Sequence, residues 1–379
     1  MQHPTKTRQR HSRTISYPAF VRLAIFIFAL ALTIPSHAQW EIEDSHTTAS
    51  LRGIDSVGNG IAWASGTNGT ILRTEDGGFV WQLCAIPPGA EKLDFRGIQA
   101  FDANTAIVMS SGKGDLSRLY KTTDGCQTWK LIFTNPDKDG FWDAFLLNRF
   151  DKDGYLLGDP VNGSFRYWQT NDKGTTWQST WQGDNWKRTQ WSSLEALPRE
   201  GAFAASNSSL FVDERYAVTF VTGGPAGGRI FMSDDIDDPS KFHALPVPLR
   251  SGSASSGGFS IESRDYDGLV VVGGDYLKPE ECSGTAAYSH DGGHHWKVAK
   301  TPPHGFRSAV AYDTQQKLWI TVGPNGTDIS RDDGRNWTPL KPTKEDAPDA
   351  DKNWNALSLP FVVGPNGRIG KLRPTALNP

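Results

Sequence analysis

Five copies of one eight-residue pattern, [Ser/Thr]-x-Asp-x-Gly-x-x-Trp, restrict what this chain can fold into more than any other feature. They read Thr74-Glu-Asp76-Gly-Gly78-Phe-Val-Trp81, Thr122-Thr-Asp124-Gly-Cys126-Gln-Thr-Trp129, Thr170-Asn-Asp172-Lys-Gly174-Thr-Thr-Trp177, Ser289-His-Asp291-Gly-Gly293-His-His-Trp296 and Ser330-Arg-Asp332-Asp-Gly334-Arg-Asn-Trp337. One copy carries Cys126 in place of glycine, and a sixth, worn copy starts at Ser233-Asp-Asp235 without the Gly or the Trp. The chemistry is that of a turn. Asp accepts hydrogen bonds from nearby backbone N–H groups, Gly supplies a positive φ, and the hydroxyl ties the turn further. Trp buries a large apolar face beside it. Each copy therefore predicts a hairpin connector between two strands. Asp76, Asp124, Asp172, Asp291 and Asp332 are structural acceptors, because an acid repeated in every turn does not define one catalytic site.

Two further patterns precede each box. The nearer is a β-rich run ending in glycines, as in Ile61-Ala-Trp-Ala-Ser-Gly-Thr-Asn-Gly69 and Leu318-Trp-Ile-Thr-Val-Gly-Pro-Asn-Gly326. The earlier one is a short strand: Ser50 to Ile54, Asp94 to Ile98, Gly140 to Ala144, Gly201 to Ala205, Gly258 to Ile261 and Gly305 to Ala309. Four strands per unit and about 49 residues per unit predict an all-β, seven-bladed β-propeller. Its last blade takes three strands from the C-terminal stretch beginning at Asn355 and its fourth from Gln39 to Ile42. Six blades is the alternative if the worn fourth unit is an insertion.

Residues 1 to 22 hold Lys6, Arg8, Arg10, Arg13 and Arg22 without an acid, followed by an uncharged run from Leu23 to Ile34 and then Ser36-His37-Ala38. This order reads as a signal peptide over 1–38, cut after Ala38. Twelve residues of helix rise only about 18 Å, against a hydrocarbon core of about 30 Å. The expectation is a single propeller domain over 39–379, periplasmic or secreted, with no stable membrane anchor after cleavage. The formal net charge is -3, and without those five cations 34 basic residues face 42 acidic ones. A nucleic-acid partner is disfavoured, since phosphate backbones need a basic surface. The spacing of Cys84, Cys126 and Cys282 leaves their pairing open beyond requiring one free thiol, and three packing residues is the simpler reading.

The box matches the Asp-box (BNR) repeat of sialidases and many secreted propellers. The whole of 39–379, with its Gly-x-Asn-Gly loops ahead of the boxes, resembles the photosystem II stability/assembly factor family of seven-bladed propellers and its exported bacterial relatives. That resemblance implies a non-enzymatic, exported assembly scaffold that binds protein partners; a monomer with no cofactor and no metal is the accompanying expectation. Fold alone does not fix activity.

In a propeller, the loops leading into strand a and those joining strands b and c share one face, and the Asp turns occupy the other. The former, the top face, collects Arg52, Arg96, Trp142, Asp143, Asp159, Glu200, Asp275, Tyr276, Arg307 and Asn355 at the mouth of the channel. The arginines predict a protein segment or small acidic ligand as partner; interblade ion pairing is the competing use. An enzymatic alternative is a sialidase-like glycoside hydrolase, with Arg52, Arg96 and Arg307 on a sugar carboxylate and Tyr276, Glu200 and Asp143 as nucleophile, its helper and the acid or base. Against it, the Phe-Arg-Ile-Pro sequence typical of sialidases is replaced by Leu51-Arg-Gly-Ile54. His290, His294 and His295 lie on one tight hairpin without an added acid pair and read as solvated surface. Gly223 to Gly228 precedes no helix and so lacks a phosphate-binding N-terminus. The acidic run Asp234 to Asp238 reads as a turn cap.

Overall fold

A computed structural model of the chain describes residues 39–149, 152–179, 194–213, 217–233, 241–342, 347, 349–373 and 377. The signal-peptide reading of 1–38, the worn box at Asp234 and Asp235 and the acidic run to Asp238 fall outside these residues.

Among the described residues, twenty-eight strands form seven four-stranded antiparallel sheets, each ordered a-b-c-d. Six sheets are consecutive in the chain, so the fourth unit is a blade and the six-blade alternative fails. The innermost strands are Leu51–Gly58, Phe95–Ala100, Trp142–Leu147, Leu210–Val212, Ser256–Ser263, Ala309–Asp313 and Ala356–Ser358 in blades 1 to 7. Each touches the next, and the last touches the first.

The alternation of each strand puts apolar side chains on both sheet faces, and neighbouring blades bury them against one another. Seven apolar clusters result, one per seam. Trp63 and Ile71 of blade 1 meet Val108 and Tyr120 of blade 2, for example, and Val270 and Val272 of blade 5 meet Val310 and Trp319 of blade 6. The ring closes where Trp40–Glu43 pairs antiparallel with Ile369–Leu372, in register Trp40 with Leu372. Trp40 is buried against Trp354, ring centroids 5.9 Å apart, and its Nε1–H donates to Thr327 Oγ1 at 2.9 Å.

All five boxes share one hydrogen-bond scheme. The N–H at the Gly position donates to the Ser or Thr hydroxyl at 3.0–3.1 Å. The N–H two residues later donates to the Asp Oδ1 at 2.8–3.0 Å. The first of these positions is left-handed throughout, and Cys126 holds it with φ +65. A side chain there costs about 1 kcal/mol relative to glycine.

Cys126 is bonded to Cys84, and Cys282 is a free, exposed thiol. The reading of three packing cysteines is therefore corrected. Forty-two residues of separation say nothing by themselves. Stacking of consecutive blades sets the chain after the outer strand of blade 1 beside the Asp turn of blade 2, with Ala85 N–H donating to Cys126 O at 3.2 Å.

Blade 4 departs from expectation. Its inner strand is Leu210–Val212, and Gly201 to Ala205 forms only an isolated bridge, between Gly201 and Gly223. The residues that follow, 204–208, cross the channel. Arg96 Nη1 donates to Ala204 O at 3.2 Å, Ser206 Oγ to Ser308 O at 2.9 Å and Ser208 Oγ to Ser260 Oγ at 2.7 Å. Asn207 accepts from Phe145 N–H at 2.9 Å and donates to Phe145 O at 3.0 Å. Blades 2, 3, 5 and 6 thus hold one plug, which divides the channel into a top mouth and a cavity opening toward the Asp turns.

Candidate functional site at the top mouth

Strand a carries a β-bulge at one position in four blades. Pairing with strand b shifts between Leu51 and Gly53, Phe95 and Gly97, Trp142 and Ala144, and Gly258 and Ser260. The extra residues are Arg52, Arg96, Asp143 and Phe259. A bulged residue leaves the ladder and its side chain is re-aimed, here at the mouth.

Arg52 and Arg96 share one carboxylate. Arg52 Nε lies 3.1 Å from Asp94 Oδ1 and Arg96 Nε lies 2.9 Å from Asp94 Oδ2, all three side chains being 26–30% exposed. No other bond to the Arg52 guanidinium occurs among the described residues, so it presents open donors to solvent. Beside them Asp143 is buried next to Asp159, whose Oδ1 accepts Ala202 N–H at 3.1 Å. Burial first, and for Asp143 the neighbouring carboxyl second, push both acids above the usual carboxylate range. Two such groups hold a proton between them more readily than free acids do. The mouth is therefore less negative than its composition implies.

The opposite side of the mouth is aromatic. Phe203 stacks on Phe259 with centroids 3.8 Å apart, and Phe306 meets Phe259 edge-on at 4.7 Å. Tyr276 lies 6.1 Å from Phe259 and is 49% exposed; Leu277 beside it is 70% exposed. Asp275 is buried and holds their loop, accepting Ser253 Oγ–H at 3.0 Å and Leu277 N–H at 3.1 Å. Asn355 Nδ2 donates to Leu51 O at 2.7 Å, tying blade 7 to blade 1 beside Arg52. A top-face groove of about 670 Å³ runs from Phe141 past Asp159 and Arg199 to Phe203.

Three expected mouth residues are closed to a ligand. Trp142 is fully buried, stacked on Phe133 at 5.2 Å. Glu200 is enclosed by Thr222 Oγ at 2.6 Å, Leu197 N–H at 2.7 Å and Arg229 Nε at 3.0 Å. Arg307 is fully buried, donating to Asp328 Oδ2 at 2.9 Å and Asn325 Oδ1 at 2.7 Å. Blade 6 has no bulge, since its pairing starts at Ala309 with Val322 and runs unbroken. Arg307 precedes the strand and turns inward. The arginine triad of the glycosidase alternative is consequently not assembled, and its Glu is already engaged.

Asp94, Phe203, Phe259 and Asp328 were not among the expected site residues. Asp94 stands two positions before Arg96, a spacing that places both on one side of an extended strand. No comparable sequence signal marks the others.

No protein-family model matches the chain. The photosystem II assembly lipoprotein Ycf48 of Synechococcus sp. (strain CC9902) is 22% identical over 307 residues, which is 73% of this chain and 84% of that protein. The solved structure of YCF48 bound to D1 peptide aligns with a TM-score of 0.60 at 17% identity, covering 89% of this chain and 97% of that one. YCF48 from Cyanidioschyzon merolae aligns with a TM-score of 0.58 at 18% identity, covering 89% and 99%. This chain is a seven-bladed propeller that resembles those assembly factors.

Proposed function

We propose that this chain is an exported, non-enzymatic assembly scaffold that grips a protein segment across its top mouth. The observation that carries the reading is the bulge. One structural position, repeated in blades 1, 2, 3 and 5, presents two guanidiniums, a carboxyl and an aromatic ring where the fold itself needs no such variety. An extended segment laid there meets Arg52 and Arg96 on one side and Phe203, Tyr276 and Leu277 on the other. That suits an acidic side chain followed by apolar ones. The likeness to a propeller solved with a bound peptide supports the same use.

Export, with cleavage after Ala38 and a single soluble domain over 39–379, belongs to this proposal. The Cys84–Cys126 disulfide supports it, because such bonds persist in oxidising compartments.

The test is capture of partners from an envelope extract by residues 39–379. The wild-type chain is expected to retain a partner that Arg52→Ala/Arg96→Ala retains at least tenfold less. Equal retention overturns the choice of mouth. Incubation with aryl glycosides, a sialoside included, is expected to give no turnover, and turnover overturns the non-enzymatic reading.

A further inference from the structure

Below the plug lies a second cavity, of about 640 Å³, opening on the face of the Asp turns. This volume is in the range of small-molecule sites. Most polar groups in its wall satisfy one another. Gln99 exchanges hydrogen bonds with Leu147 at 2.6 and 2.7 Å. Asp55 pairs with Arg149 Nη2 at 2.7 and 2.8 Å and accepts Ala100 N–H at 2.7 Å. Arg149, the cation among the described lining residues, also donates to Ala100 O at 2.6 Å. Its charge is committed.

Glu262 is different. It lies near the end of the inner strand of blade 5, and its carboxyl accepts a single hydrogen bond, from the adjacent Ser263 N–H at 2.7 Å. No cation pairs with it among the described residues. Burial pushes it up to about 7 against the lowering effect of the Ser263 N–H. A desolvated carboxyl without a partner is unfavourable, and a cation supplied from outside removes that cost. The same wall carries the apolar side chains of Ile98, Phe145 and Leu357 and a second acid, Asp213.

We propose that this cavity is a second ligand site, taking a small organic cation whose ammonium or guanidinium group sits on Glu262 while a short apolar body fills the space toward Phe145. A divalent metal is disfavoured, since no group of three or more His, Cys, Asp or Glu that would hold one occurs among the described residues, and calcium takes six to eight oxygens. An anion would meet Glu262 with no free cation among the described lining residues to offset it. The site stands on its own geometry and does not depend on the top mouth.

Calorimetric titration of residues 39–379 with benzylamine, benzyl alcohol and benzoate tests it. Benzylamine is expected to bind saturably, at least tenfold more tightly than the other two. Glu262→Gln is expected to remove that preference while Leu83→Ala, on the exposed outer strand of blade 1, keeps it. A thermal melt confirms that Glu262→Gln is folded, as expected of a change that removes an uncompensated charge without changing size. Absence of saturable benzylamine binding, equal binding of the three probes, or undiminished binding by folded Glu262→Gln overturns the proposal.

Discussion

The two faces of the wheel use repetition in opposite ways. On the box face, five turns repeat the same two hydrogen bonds to within 0.2 Å. On the top face, one bulge recurs in four blades but carries Arg, Arg, Asp and Phe in turn. Where every blade solves the same folding problem, its residues converge. Where the backbone problem is already solved by the bulge, side chains are free to differ. Sameness therefore marks stability and difference at a fixed position marks recognition.

That contrast breaks most visibly if box-face residues prove dispensable. Trp81 is buried against Phe361 across the seam of blades 7 and 1, centroids 5.5 Å apart, and donates to Glu43 Oε2 at 2.7 Å. Trp81→Ala is expected to cost about 3–5 kcal/mol in denaturant unfolding. Removing the disulfide with Cys84→Ala is expected to cost about 2–4 kcal/mol. Adding Cys126→Gly to that variant should recover about 1 kcal/mol by relieving the left-handed position. Ser289→Ala and Ser330→Ala, each losing a buried hydroxyl that serves its turn, are expected to cost about 1–2 kcal/mol apiece. In contrast, Arg52→Ala should change stability by less than about 1 kcal/mol, as a partly exposed ion pair does, while lowering partner retention.

The two faces also differ in the sign of their pH response. Hydrogen bonds from the Thr128 hydroxyl and N–H hold Asp124 down at about 2 in its turn. The folded pKa lies below the unfolded one, so this stability is present above about pH 4 and is lost as pH falls toward 2. Asp143 and Asp159 are shifted upward, so the folded chain binds protons more tightly than the unfolded one. Their contribution declines as pH rises from the ordinary carboxylate range through the raised values. Melting temperature against pH should therefore show a loss toward pH 2 that Asp124→Ala reduces and a decline on raising the pH above the ordinary carboxylate range that Asp143→Asn reduces. The same slope in both variants contradicts the assignment.

The fold was legible because the boxes, the glycine runs and the spacing all point to one architecture, including closure by Trp40. The mouth was legible in part. Arg52, Arg96 and Asp143 stand out as departures within a repeated strand. Arg307 occupies the same sequence context, Phe-Arg, yet lies inside, because whether a strand bulges depends on its pairing partner and leaves no mark in its own residues. Gly201 to Ala205 resembles the other inner strands in sequence, which hides the plug that begins at Ala204. Its Ser206-Asn-Ser208 run bonds across the channel to blades 3, 5 and 6, contacts that exist only once the ring has formed. The disulfide likewise depends on which blades become neighbours.

Placement of recognition at the top mouth is tested most directly by site-specific photocrosslinking in an envelope extract, with the probe at Tyr276 or at Phe79. Both side chains are well exposed, at 49% and 88%, and they lie on opposite faces. The account predicts a crosslinked partner from position 276 and none from position 79, and a partner captured from position 79 alone, or equally from both, would contradict it.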